Sequence, residues 1–585
     1  MRFFTSVTDG LLRARVSVIL WILGTLSLQI STVQANTDVF EPLESTIESV
    51  RTALVTKSTT CRTVVSSFLS RIEKFNPTIN AIVSLNPDAL FAADELDKKL
   101  AAGDLAGKLL CVPVLLKDNY DAVGMNTTGS CADLAGNRPI VDTPSVKALR
   151  KEGAVILGKT NLHESTCPLD SKWIFSRMGA MLTKTGIVAL EGLTVSSLGG
   201  QTINPYDQTR TPGGSSGGTG VAIATSFAVF GTGTDAVNSL RSPASANNLV
   251  SVRPTRGLIS RAGIMPVSFT QDSIGPIARS IQDLAVALTV MASVGADEAD
   301  NATLLVPPDG RGMDYTRGLN DGSLNGLRIG LLNGFWNHTA SDETTPVIDA
   351  LKSTIDFLKS EGVEIINVTE SIYNTSSIAD FDVQQYEFKE SLNNYLSSPN
   401  LTGDRPTTWD EVYESGKFLV IPAQYSFINN SRVRSLADLG YTTAKQGIDR
   451  LKAAVNKTFV SNKLDAVIYP EQKNLVVKIG SPSQAGRNGI LAALTGVPVV
   501  TVPVGFSQPS LDAPIGVPIG MEILGLPFSE EKLLNIANHF TCLRPLRKTP
   551  AFANDTVPTK PYVSVPTMHP NVSNISPEYP LGVLY

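Results

Sequence analysis

Four short, almost wholly apolar runs constrain this chain most: LLCVPVLL at 109–116, LDAVIYP at 464–470, VPVVTVPVGF at 497–506 and PIGMEILG at 518–525. Runs this short, rich in β-branched residues, read as strands covered on both faces rather than as helices. Elsewhere apolar residues recur at helical spacing, as in Leu43, Ile47, Val50 and Leu54, or Val64, Phe68 and Ile72. Residues 36–100 are therefore predicted helical, and 144–158 a helix followed by the strand AVILG. Residues 200–235 read as a Gly/Ser-rich loop, a small-residue helix and a strand, with further strands at 328–332 and 363–368. Strands alternating with helices predict an α/β sandwich around a largely buried sheet. A composition of 42% apolar and 18% charged residues supports a large core. The stretch 370–460 is more polar and helical, a cap or insertion. From 546 to 585 the chain is Pro-rich and is expected to run loosely over the surface.

Three segments carry chemistry: VPVLLKDNYD, with Lys117 at a strand end; RTPGGSSGGTG at 210–220; and GTGTDAVNSLRSPAS at 231–245. A serine hydroxyl is a poor nucleophile until a base takes its proton. Histidine usually does this, but only His163, His338, His539 and His569 occur, and none falls in these segments. An amine can substitute if it is neutral. At its reference pKa a lysine is neutral only about one part in 10³ at pH 7, so burial must lower that value. The apolar run before Lys117 supplies the burial. Consecutive backbone N–H groups just before Ser239 are candidates to stabilise an oxyanion.

On these residues the chain resembles the amidase signature hydrolases, from about residue 40 to about 545. The carriers are the Gly-Gly-Ser-Ser-Gly-Gly loop, the downstream Gly-Thr-Asp…Ser…Arg…Pro-Ala segment and the upstream lysine. Later stretches at 257–280, 496–506 and 518–534 match as well. The resemblance implies an α/β/α fold with a large mixed sheet sandwiched by helices. It implies an amidase that cleaves a carbon–nitrogen bond through an acyl-enzyme, with no metal, nucleotide or organic cofactor. Ser239 falls at the family's nucleophile, Ser215 at its bridging serine after a cis bond from Gly214, and Lys117 at its general base. Ser216, Asp235 and Arg241 match supporting positions, and the N–H groups of Ala236, Val237, Asn238 and Ser239 match the oxyanion hole. Two departures stand out. Val237-Asn238 replaces a common Gly-Gly; the hole still assembles if these residues sit at negative φ, with activity altered or weak. Residues 165–188, containing Cys167, interrupt a region that is usually continuous, either as an insertion or as a retained intron.

Compartment and partners follow from the rest of the chain. Arg2, Arg13 and Arg15 precede the apolar run Val16–Ile30, and Val33 and Ala35 frame a cleavage point, the layout of a signal peptide over 1–35. An uncleaved segment would instead anchor the chain to a membrane. Eleven Asn-x-Ser/Thr sequons, among them Asn126, Asn367, Asn400 and Asn571, fit a secreted glycoprotein. Five cysteines without a CxxC pair give no metal or thioredoxin reading but permit disulfides after export. A net charge of −5 with no basic block argues against nucleic acid. The partner expected is a small-molecule amide, and oligomeric state is open. Two other readings stay open: GGSSG as an α/β-hydrolase elbow with Ser215 as nucleophile, and a weak or inactive amidase-like scaffold. Membership of a transamidating complex fits poorly with export. Arg241 reads as a loop organiser, His163 as a structural contact, and Met265 and Met291 as core.

Overall fold

The computed structural model describes residues 39–164, 192–417, 419, 421 and 424–576. The expected leader 1–35 and the interruption 165–188 with Cys167 lie outside them.

Eleven strands make one sheet. In chain order they are β1 (Ile82–Leu85), β2 (Pro113–Lys117), β3 (Val155–Thr160), β4 (Phe230–Asp235), β5 (Val250–Arg253), β6 (Ser273–Ala278), β7 (Arg328–Leu332), β8 (Glu364–Val368), β9 (Ala466–Pro470), β10 (Val499–Phe506) and β11 (Pro518–Leu524). Their spatial order is β1-β3-β2-β4-β6-β5-β10-β11-β9-β7-β8. The sheet is mixed: β3, β2 and β4 run parallel, as do β9, β7 and β8, while the strands between pair antiparallel. Every residue of β2, β3, β6, β9 and β11 is buried, as the apolar runs require. Helices Gly217–Ala224, Arg241–Ala246, Ile281–Ala292, Thr345–Ser360 and Glu530–Leu543 pack against the sheet.

The structure departs from two expectations. Residues 36–100 are not helical throughout: β1 sits between helices Cys61–Ile79 and Ala89–Ala101. The tail is tied down as far as 576. Arg547 is ion-paired with Glu44 at 2.6 Å, Arg62 donates to the Tyr562 carbonyl at 2.7 Å, and the Asn571 N–H donates to Asn80 Oδ1 at 3.0 Å. The stretch 370–460 supplies helices Thr375–Ala379, Gln384–Leu396, Trp409–Ser415, Tyr425–Val433 and Leu439–Asn462. Phe388, Leu392, Trp409 and Phe427 from these helices share a core with Cys131, Ala236 and Met265, so this layer is packed directly onto the chemistry-bearing segments.

Cys61 and Cys111 form a disulfide across 50 residues, tying the first long helix to the segment that leads into β2. A closed loop of that length stabilises the native state by about 4 kcal/mol in the chain-entropy account. Replacing both cysteines by serine is expected to lower the unfolding free energy by about that amount in denaturant titrations.

Candidate active site

β2 and β4 are parallel neighbours, and both end at the same edge of the sheet. Lys117 is the last residue of β2, and Thr234 and Asp235 are the last two of β4. The Gly/Ser loop lies over these ends. Its Gly214–Ser215 peptide is cis. Lys117 Nζ lies 2.7 Å from Ser215 Oγ and 2.8 Å from Thr234 Oγ1, and Asn119 Nδ2 donates to the same Thr234 oxygen at 3.2 Å. The Ser215 carbonyl accepts the His163 N–H at 3.0 Å, and the Ser239 carbonyl accepts the Ser216 N–H at 3.3 Å. Ser216 Oγ donates to the Thr234 carbonyl at 3.2 Å. Ser215 and Ser239 both line a cavity of about 940 Å³. Among the described residues no hydrogen bond joins their two hydroxyls directly.

Lys117 is 1% exposed. Burial pulls its amine down to about 7, against the opposing influence of Asp235 and Asp272. Asp235 is itself buried, which alone would raise its pKa, but Arg241 and Arg253 outweigh this and hold it below the ordinary value. Arg241 Nε meets Asp235 Oδ2 at 3.0 Å, Arg253 Nη1 meets Asp235 Oδ1 at 3.0 Å, and Arg241 Nη1 meets Glu522 Oε2 at 2.8 Å. The fixed fork of a guanidinium suits such multiple pairing.

The same network orients the turn before Ser239. Arg253 donates to the Asp235 carbonyl and Arg241 Nη2 to the Val237 carbonyl. Gln271 Nε2 donates to the Ala236 carbonyl at 3.1 Å. The Asn238 carbonyl accepts the N–H groups of Arg241 at 2.9 Å and Ser242 at 2.8 Å. In a trans peptide the N–H points opposite to the C=O. Four consecutive carbonyls held by the protein therefore turn the N–H groups of Ala236, Val237, Asn238 and Ser239 the other way. Among the described residues none of these N–H groups donates to a protein acceptor. These are donors without a protein acceptor beside Ser239, the kind of group that oxyanion stabilisation uses.

The Val237-Asn238 departure does not obstruct the turn, because neither residue is at positive φ. Val237 packs its side chain into a core with Ile490 and Leu491. Asn238 donates to Glu471 Oε1 at 3.2 Å and accepts from Arg487 at 3.4 Å. Room for these side chains comes from Gly489, where a Cβ would stand 2.3 Å from Asn238 Cβ. Burial and Glu522 push Glu471 up to about 8.

Sequence reasoning missed Thr234, Asn119, Gln271 and Arg253. Thr234 and Asn119 lie inside the chemistry-bearing segments, but a strand threonine and a turn asparagine also have ordinary structural uses. Gln271 and Arg253 carry no signal of their own, since their roles depend on where β5 and β6 lie in the sheet. His163 is a buried contact behind Ser215, with burial holding its imidazole at about 3 and so uncharged. Met265, a core residue on sequence grounds, also lines the cavity.

The Amidase family profile matches residues 63–534. The chain belongs to the amidase family. A probable amidase of Arabidopsis thaliana is 31% identical, aligned over 88% of this chain and 92% of its own length. A glutamyl-tRNA(Gln) amidotransferase subunit of Clostridium acetobutylicum is 29% identical over 85% of this chain and 98% of its own. The solved peptide amidase of Stenotrophomonas maltophilia superposes with a TM-score of 0.71 at 30% identity, covering 87% of this chain and 99% of that one. The mixed α/β fold is thus that of amidase signature enzymes, and this protein is an amidase, a hydrolase of carbon–nitrogen bonds.

Gln271→Leu frees the Ala236 carbonyl, so kcat is expected to fall roughly tenfold or more with little change in KM, measured by steady-state kinetics. Glu471 binds its proton more tightly folded, near 8, than at its ordinary value of 4.5. Wild-type stability therefore declines as pH rises through that window. Glu471→Gln should remove this decline, with thermal midpoints of the two proteins diverging as pH rises from 5 to 8.

Proposed function

We propose that this amidase uses Ser239 as nucleophile, Ser215 as proton relay and Lys117 as base, acting on amides of short-peptide size. The observation that carries the reading is the 2.7 Å contact between Ser215 Oγ and a fully buried Lys117 amine, at a cavity that Ser239 also lines. Uncharged, Nζ offers a lone pair to the Ser215 hydroxyl. Ser215 passes its proton to Lys117 as it receives the proton of Ser239. The Ser239 oxygen bonds to the substrate carbonyl carbon, and the displaced electron pair becomes an oxyanion facing the N–H groups of 236–239. Collapse breaks the C–N bond, and the proton returns through Ser215 to the leaving nitrogen. Water then attacks the acyl-enzyme by the same route and releases the acid.

A cavity of about 940 Å³ suits a ligand larger than a simple aliphatic amide. Likeness to a peptide amidase at 30% identity supports the same class. The elbow reading, with Ser215 as nucleophile, needs a histidine at the site. His163, the one beside Ser215, is buried and held at about 3, too weak a base to take a serine proton, and no histidine lines the cavity among the described residues.

Export belongs to the same proposal. The Cys61–Cys111 disulfide and the N-terminal layout support it, and none of the eleven sequon asparagines is buried.

A fluorophosphonate probe is expected to label Ser239; labelling of Ser215 would transfer the nucleophile's role. Lys117→Ala should lower the acylation rate at least a hundredfold and abolish the rise of kcat/KM through about pH 7 that deprotonation of the amine produces. Unchanged kinetics would remove Lys117 from the mechanism. Protein secreted from a eukaryotic host should begin at Asn36 and lose mass on treatment with an N-glycosidase; an intact N-terminus and unchanged mass would contradict export.

A further inference from the structure

Asp121 lies four residues beyond Lys117, lines the cavity, and is 4% exposed. Its Oδ1 accepts the Tyr395 hydroxyl at 2.8 Å. Among the described residues Asp121 makes no ion pair. Lys159, a nearby buried amine, is engaged elsewhere. Its Nζ stands 3.6 Å from Asp118 Oδ1 and donates to the carbonyls of Tyr120 at 2.7 Å and Asn126 at 3.0 Å. The guanidinium of Arg405 donates to the carbonyls of Leu396, Leu401 and Pro406. Lys159 thus stands against Asp118, which does not line the cavity, while Asp121, which does, has no basic side chain in ion-pair contact among the described residues. Burial raises Asp121 to about 6, with Tyr395 and Lys159 offsetting only part of the cost.

The neighbouring wall is polar too. Ser391, Asn394, Tyr395 and Ser398 line the cavity from the end of the helix Gln384–Leu396 onward, and Ser391 Oγ is buried without a hydrogen-bond partner. Met265, Val267 and Phe269 provide apolar wall. A buried carboxylate without a cation is costly, and a cation delivered by a ligand relieves that cost.

We propose that Asp121, held by Tyr395, is a specificity-determining residue that receives a cationic group, a protonated amine or guanidinium, carried on the acyl part of the amide substrate. The inference rests on the reading of this cavity as the site of short-peptide amide hydrolysis.

The test uses N-acetyl-lysinamide and N-acetyl-norleucinamide, which differ in one charge, at pH 8. The wild type is expected to favour the lysine amide at least tenfold in kcat/KM. Asp121→Asn should bring that ratio close to one. Tyr395→Phe keeps the carboxylate and should keep the preference, which separates recognition from general damage to the wall. The same pair titrated calorimetrically into Ser239→Ala should show at least tenfold tighter binding of the lysine amide, lost in the Asp121→Asn double variant. Turnover of both amides without discrimination overturns the subsite and leaves the peptide-amide reading standing. No turnover, with discrimination in binding intact, overturns the substrate reading and leaves the subsite standing. No discrimination in either measurement overturns the subsite.

Discussion

Burial of one amine is the constraint on which the rest of this structure depends. Lys117 ends a strand covered on both faces, and its nitrogen is out of water. Lowering the amine to about 7 corresponds to about 5 kcal/mol of disfavoured charge. That state survives only if nearby negative charge is neutralised. Asp235, one residue past Thr234, would otherwise draw a proton onto the lysine. Arg241 and Arg253 pair with it instead, and Glu522 completes the cluster. One buried ion network therefore does two things: it screens Lys117, and its arginines hold the carbonyls of Asp235 and Val237 in the turn before Ser239.

This coupling accounts for how the chain accommodates Val237-Asn238. Two glycines would make the turn easy, but the backbone here needs no positive φ. The side chains turn inward, toward Ile490, Glu471 and Arg487, where the bare backbone of Gly489 leaves room. Their burial adds packing and two polar contacts to the turn before Ser239. The trade is flexibility lost for a turn held from behind.

Much of this is legible in the sequence. The four apolar runs are strands β2, β9, β10 and β11, because a strand buried on both faces has little freedom of composition. Lys117, Ser215 and Ser239 stand out because an amine and two hydroxyls in Gly-rich surroundings are an unusual combination; the structure sets Lys117 against Ser215 and lines one cavity with Ser215 and Ser239. Strand β6, SIGPIA, is not legible: a Gly-Pro pair weakens a strand pattern, yet tertiary packing puts it between β4 and β5. β1 is hidden in the same way, as four residues between two helices. Gln271, Arg253 and Asp121 act through partners distant in the chain, and no local pattern marks such residues. The tail from 546 reads as loose because proline-rich segments bury little, but Arg547 and Asn571 tie it to the first helices through polar contacts that composition does not reveal.

The most direct measurement is the titration of Lys117 itself. Protein carrying ¹³C at lysine Cε, with the Lys117 resonance assigned by its loss in Lys117→Arg, gives the ionisation of that one amine by NMR. The expected midpoint is near 7, and it should move upward in Arg253→Met, where Asp235 loses one of its two guanidinium partners. A midpoint above 9 in the wild type would mean that the amine is charged at neutral pH, and would contradict the claim that burial makes Lys117 a base.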